Sequence, residues 1–199
     1  MIVRSSPSRY KTDAGRGAFD GEARREGQVP QVETTVSTTD HISTDLIYYD
    51  DPKADCKVIT PFGLMVQRDR VMYLGGMVAK ISTSWLPQNL ARGTVLEQED
   101  TGPGGTFARL AELGHRIVRL TEDVTVVEAN ASAEVLGLDK GACIFKIVRS
   151  AFDNEDRLTE ITSETFSPKV YQLQFDVRLE DHFLLSATQL KEIMREIRE

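Results

Sequence analysis

The chain has 199 residues, is 40% hydrophobic and 28% charged, and carries a formal charge of -7. That length suits one domain, or one domain plus tails, and can bury a core without disulfides or metals. The negative charge gives no general attraction to nucleic acid or to an anionic membrane.

No apolar run reaches the length of a membrane span, and residues 1–27 lack the apolar stretch of a secretory signal. Cys56 and Cys143 are far apart and outside any CxxC pair. They read as reduced thiols, so a cytoplasmic location is expected.

In chain order, Met1 to Gln28 is polar and rich in Arg, Gly and Ser, and reads as an arm or linker. From Val29 the pattern alternates, with Val32, Thr34, Val36 and Thr38 on one side of a strand. His41 to Ala54 resists assignment, although Leu46 to Tyr49 form a short apolar element before Asp50-Asp51-Pro52. Gly63 to Tyr73 and Met77 to Trp85 read as strands joined at Gly75-Gly76, a pair that tolerates the positive φ of a tight hairpin. Pro87 ends the second strand. A Gly/Pro loop, Gly102 to Gly105, precedes a helix over Thr106 to Leu113.

Arg116 to Ala129 reads as a long strand, and Ser132 caps a short helix over Ala133 to Leu138. Ala142 to Ser150 and Leu158 to Phe166 pair around the turn Asp153 to Asp156. Val170 to Val177 alternates and reads as a last strand. Leu190, Ile193, Met194 and Ile197 make an apolar stripe on a charged C-terminal helix, which either packs on its own sheet or docks on a partner. Hairpins dominate and helices are few, which predicts an α+β fold with a largely antiparallel sheet.

The chemistry-bearing residues are sparse. His41, His115 and His182 are isolated from one another, so neither a metal site nor a cofactor is expected. No GxSxG turn marks a serine hydrolase, and no catalytic residue is assigned. Gly102-Pro-Gly-Gly-Thr106 lacks the Lys of a P-loop. It reads either as a generic glycine loop or as a helix N-terminus suited to a carboxylate or phosphate. Arg68 and Arg70 share one face of a strand, and Ser82 and Ser84 share a face of the next. On an exposed sheet the arginines make surface ion pairs, whereas in a cleft they become anion clamps. Glu160 and Thr162 form another same-face pair.

The runs Ser82-Thr-Ser-Trp-Leu-Pro-Gln-Asn-Leu-Ala-Arg-Gly-Thr94 and Asp100-Thr-Gly-Pro-Gly-Gly-Thr-Phe-Ala-Arg-Leu-Ala-Glu-Leu-Gly-His115 resemble the UTRA effector-binding domain of GntR-family repressors of the HutC type. Ala131 to Gly141 before a strand ending in Arg149 also resembles that family, as does the hairpin Ala151-Phe-Asp153 to Leu158-Thr-Glu160. The resemblance extends to actinobacterial members, including regulators of conjugative plasmid transfer. The resemblance covers roughly Arg4 to Val177 and implies a chorismate-lyase-like antiparallel sheet with flanking helices.

By motif, it assigns ligand binding to Arg68, Arg70, Ser82, Ser84, Gly105, Thr106, Phe107, Glu160 and Phe166. It places residues 1–28 in the linker after an absent winged-helix head, the effector domain at 29–178 and a helical extension at 179–199. Relatives that sense sugar phosphates often carry Ser, Tyr and Glu at the positions of Gly105, Phe107 and Ser82. Their absence argues for a more apolar effector that is anionic or carbonyl-bearing.

The resemblance therefore implies a cytoplasmic, homodimeric, non-enzymatic sensor that touches operator DNA only through the missing head. Two alternatives are a headless protein that pairs with full-length repressors and a lyase on the same fold.

Overall fold

The computed structural model describes residues 8–11, 19, 23, 27–42, 58–59, 63–129 and 132–174. The expected C-terminal stripe at Leu190 to Ile197, the apolar element at Leu46 to Tyr49 and His182 lie outside the described residues.

Ten strands are described: β1 (Ser8–Lys11), β2 (Gln31–Thr39), β3 (His41–Ile42), β4 (Val58–Ile59), β5 (Met65–Leu74), β6 (Met77–Pro87), β7 (Ile117–Glu128), β8 (Cys143–Asp153), β9 (Leu158–Phe166) and β10 (Tyr171–Gln174). Six of them form one sheet in the order β2-β5-β6-β9-β8-β7. Every pairing in it is antiparallel. The described helices are short: α1 (Gln88–Ala91), α2 (Gly105–Glu112) and α3 (Ser132–Val135), with a 3-10 turn at Val95–Glu97. This is the expected α+β architecture, an antiparallel sheet flanked by helices.

Local chemistry sets the turns. Gly75 and Gly76 both have positive φ, which a two-residue hairpin of matching twist requires, and the β5–β6 hairpin closes there. Pro87 has no N–H to offer the ladder, so β6 stops at it and α1 begins. A bulge leaves Ala79 unpaired between Val78 and Lys80, so that Lys80 faces Met72.

Two further pairs form small sheets of their own. β1 runs parallel to β10, and β3 pairs antiparallel with β4. Phe19 and Ala23 are buried in a core cluster with Met72, Leu74, Ile147, Phe166 and Tyr171. Part of the segment that reads as a polar arm is therefore packed on the domain. Parallel pairing of residues so distant in sequence leaves no local pattern.

Four apolar clusters hold the layers. Val66, Leu86, Leu96 and Leu110 tie α2 and the 3-10 turn to one end of the sheet, and Phe107 and Ile117 pack against them. The Phe19 and Phe166 cluster closes the other end of the same face. On the opposite face, Ile42, Met65, Trp85, Val148 and Ile161 form one cluster, and Ala133, Leu136 and Ile144 form another. Each large side chain buried this way contributes about 1.5–3 kcal/mol before chain entropy is set against it.

Candidate functional site

Strand register places the polar residues in rows across the first face. One row runs Val36, Arg68, Ser84, Thr162, Arg149, Glu122, and the next runs Thr34, Arg70, Ser82, Glu164, Ile147, Val124. Glu160 shares the face of Thr162 and Glu164, two residues along the same strand. Lys80 lies one row beyond Ser82, between Met72 and Phe166. A charged strip therefore crosses the middle of the face, between the two apolar clusters.

The strip is buried. Arg68, Lys80, Ser82, Ser84, Glu160, Thr162 and Glu164 are each less than a tenth exposed. Burial of charge is costly unless each group finds partners, so the partners are informative. Lys80 Nζ donates to Glu164 Oε1 at 2.7 Å. It also lies 5.2 Å from the centre of the Phe166 ring and 5.9 Å from that of Phe19. Arg149 is shared by two acids: Nε donates to Glu122 at 2.7 Å, and Nη2 lies 3.4 Å from Glu164.

The carboxyls divide accordingly. Burial alone would raise Glu164, but Lys80 and Arg149 outweigh it and hold the group below the ordinary carboxylate range. Burial and the charge on Glu164 push Glu122 up to about 7, which the charge on Lys80 does not undo. Burial likewise raises Glu160, against the opposing pull of Arg70, Arg149 and the Ser84 hydroxyl.

Arg68 is ringed by main-chain carbonyls. Nη1 donates to Leu96 O at 2.8 Å and to Gln98 O, and Nη2 donates to Glu99 O at 2.8 Å. Burial and the neighbouring Arg70 pull its pKa down to about 10, so it stays charged at neutral pH. Arg70 Nη2 donates to Ser84 Oγ, and Ser84 in turn hydrogen bonds Glu160. The Nε atoms of Arg68 and Arg70 are buried with no acceptor among the described residues. Buried donors of this kind are rare and call for an explanation.

The structure thus brings Arg68, Arg70, Ser82, Ser84 and Glu160 onto one strip. Thr106 is buried and Phe107 half-buried at the start of α2, where Phe107 joins the Val66 and Leu86 cluster. Gly105 follows Gly104, whose left-handed backbone opens the helix. The loop before α2 is chained to the strip by the Arg68 collar. Phe166 is fully buried and edge-on to Tyr171, with ring centres 5.0 Å apart, so it stands at the closed end behind Lys80. Lys80, Glu122, Arg149 and Glu164 were not singled out by sequence reasoning for this face. Their signal was polar residues at every second position of otherwise apolar strands.

Among the described residues, no group of three His, Cys, Asp or Glu is placed to hold a metal ion. None of the described helices is long and apolar enough to cross a membrane.

The UTRA domain profile matches residues 37–172. The chain belongs to the UTRA domain family. UTRA domains of this kind are regulatory ligand-binding domains rather than enzymes.

Solved structures share the fold. The chain is similar to PhnF from Mycobacterium smegmatis, with a TM-score of 0.71 and 17% identity over 90% of this chain and 75% of that one. It is similar to the effector domain of the same protein, with a TM-score of 0.63 and 18% identity over 85% of this chain and 100% of that one. A GntR-family transcriptional regulator from Enterococcus faecalis V583 gives a TM-score of 0.56 and 14% identity over 75% and 99%. A comparison with curated proteins found no match.

Proposed function

We propose that this UTRA domain is the effector sensor of a HutC-type GntR regulator, and that the buried strip is its ligand site. The observation that carries the reading is Arg70. It is a half-buried guanidinium whose Nε has no acceptor among the described residues, set beside the buried hydroxyls of Ser82 and Ser84. Such a group suits a carboxylate or another small anion, and Phe107, in the apolar cluster at that end of the face, suits an apolar body.

In this reading the domain spans residues 29–178, works in the cytoplasm as a homodimer and reads DNA only through a winged-helix head. Ligand binding shifts the population of dimer geometries and thereby the spacing of the heads. The coverage of PhnF supports the division of labour. All of its effector-domain structure is matched, but only three-quarters of the longer PhnF chain.

The test is a thermal-shift screen of this chain against small carboxylates and phosphorylated metabolites. A ligand at a hundred times its Kd adds about 2.7 kcal/mol to stability, an easily read rise in Tm. A screen without a stabilising anion counts against the reading. So does specific binding of operator DNA by this chain alone in a gel shift.

A further inference from the structure

Arg68 and Arg70 lie two residues apart on one face of β5, and the sequence makes them a matched pair. Their surroundings are not matched. The Arg68 side chain is 2% exposed and donates to the carbonyls of Leu96, Gln98 and Glu99, in the segment that leads into α2. Arg70 is half-buried, and its one hydrogen-bond partner among the described residues is the Ser84 hydroxyl. Each has a buried Nε without an acceptor, so the difference lies in the rest of the guanidinium.

We propose that Arg68 is a positioning residue that staples the 95–104 segment to the sheet, and that Arg70 alone carries the ligand's charge, so that the cleft prefers a singly charged carboxylate to a phosphate. The inference rests on the reading of the strip as an anion site.

Geometry supports the staple. A guanidinium is a planar fork whose N–H groups diverge in fixed directions, so one side chain can hold three carbonyls from one short stretch of chain. An ammonium on a flexible stem holds a point, not an arc. Turning Arg68 toward a ligand would give up all three bonds, the buried one to the Leu96 carbonyl among them, where a lost partner is expensive.

Charge balance supports the monoanion. The strip holds four cations, Arg68, Arg70, Lys80 and Arg149, against the carboxyls of Glu122, Glu160 and Glu164. Lys80 is paired with Glu164, Arg149 with Glu122, and Arg68 with main-chain carbonyls, so among the described residues Arg70 is the cation of the strip left to meet one negative ligand charge. A phosphate dianion would bring a second negative charge beside Glu160 and Glu164 with no further open cation.

The experiment uses the full chain as wild type, Arg68→Lys and Arg70→Lys. Each is titrated with benzoate and with inorganic phosphate, and backbone hydrogen exchange is followed over residues 95–107. The wild type is expected to bind benzoate about ten-fold more tightly than phosphate, the worth of one charge-assisted bond. Arg70→Lys should lose about ten-fold in benzoate affinity with exchange unchanged, because the fork is lost and the segment is untouched. Arg68→Lys keeps the charge, so its signature is faster exchange over 95–104.

Two results overturn the proposal: tighter binding of phosphate than benzoate, or loss of benzoate binding in Arg68→Lys with unchanged exchange. If neither anion binds the wild type, the anion-site reading fails by itself. The staple is then judged on exchange alone, and unchanged exchange in Arg68→Lys overturns it.

Discussion

Two buried acids stand on one hairpin, Asp153 at the end of β8 and Glu160 in β9, and their environments are opposite. Asp153 has no exposed surface and is saturated with donors. His115 Nδ1 lies 2.9 Å from Oδ2, Arg157 Nε donates to the same oxygen at 2.9 Å, and the amides of Glu155 and Arg157 donate to Oδ1 at 2.9 and 3.0 Å. Burial alone would raise its pKa, but these donors outweigh it and hold the carboxyl well below the usual range. Glu160 is almost as buried, yet burial raises its pKa and the named donor is one hydroxyl that also serves Arg70. A saturated buried charge organises a turn. An undersupplied one, beside a guanidinium whose Nε has no acceptor among the described residues, marks the ligand site proposed above.

The largest expected effect breaks the saturated site. Asp153→Asn keeps the shape but replaces an acceptor of four donors with an amide whose NH2 opposes them. Stability should fall by about 3 kcal/mol in urea denaturation. A loss below about 1 kcal/mol would show that the donors are as well served by water.

The same site sets a pH dependence. Its folded pKa lies below the ordinary 3.8, so its contribution is complete above about pH 4 and is lost as pH falls toward the folded value. Urea titrations between pH 5 and 3 should show this slope in the wild type and a shallower one in Asp153→Asn.

A smaller effect tests the frame around the cleft. Gly104 has φ 86° at the start of α2, and a Cβ there would stand 2.6 Å from Ala108 Cβ. Gly104→Ala therefore meets both backbone strain and a clash inside the helix's first turn. About 2 kcal/mol of stability should be lost, with α2 exchanging faster than the sheet. Equal exchange in both would mean that α2 unfolds only with the whole domain.

This contrast also marks what the sequence discloses. The Gly75-Gly76 hairpin, the Pro87 stop and the strand spans near β7, β8 and β9 follow from local chemistry, and the structure has them within a few residues. The nearness of the Arg68 and Arg70 strand to the Ser82 and Ser84 strand was legible from the tight turn, but the turn alone pairs Arg68 with Thr83, and the bulge at Ala79 moves the partner to Ser84. Register between β6, β9 and β8 is not set by adjacent turns alone, so the convergence of Lys80, Glu164, Arg149 and Glu122 was hidden. The carbonyl collar of Arg68 depends on the path of the segment after Thr94, which no periodicity encodes. The β1–β10 pairing joins segments far apart in the chain and was invisible for the same reason.

The unsaturated acid should respond in the opposite way to the saturated one. Glu160→Gln removes a charge that burial already disfavours, so stability should change by less than about 1 kcal/mol in either direction. Benzoate affinity should rise instead, because a like charge beside Arg70 is gone. Its dependence on pH above the ordinary carboxylate range should flatten. A loss of stability comparable to that of Asp153→Asn would place both acids in one structural class and remove the contrast.

The smallest effect belongs to a charge that is neither saturated nor trapped. Arg119 lies over the Phe152 ring at 3.6 Å, and its Nε donates to Asp156 Oδ1 at 3.0 Å, on the same hairpin as Asp153. Both partners of the ion pair are well exposed, so water competes for each and salt screens what is left. Arg119→Ala should cost about half a kcal/mol, mostly from lost contact with the ring, and added salt should hardly change the difference. A larger, salt-sensitive loss would mean that exposed charge on this hairpin also carries the fold. Proximity to water, rather than donor count, would then not separate its charges by role.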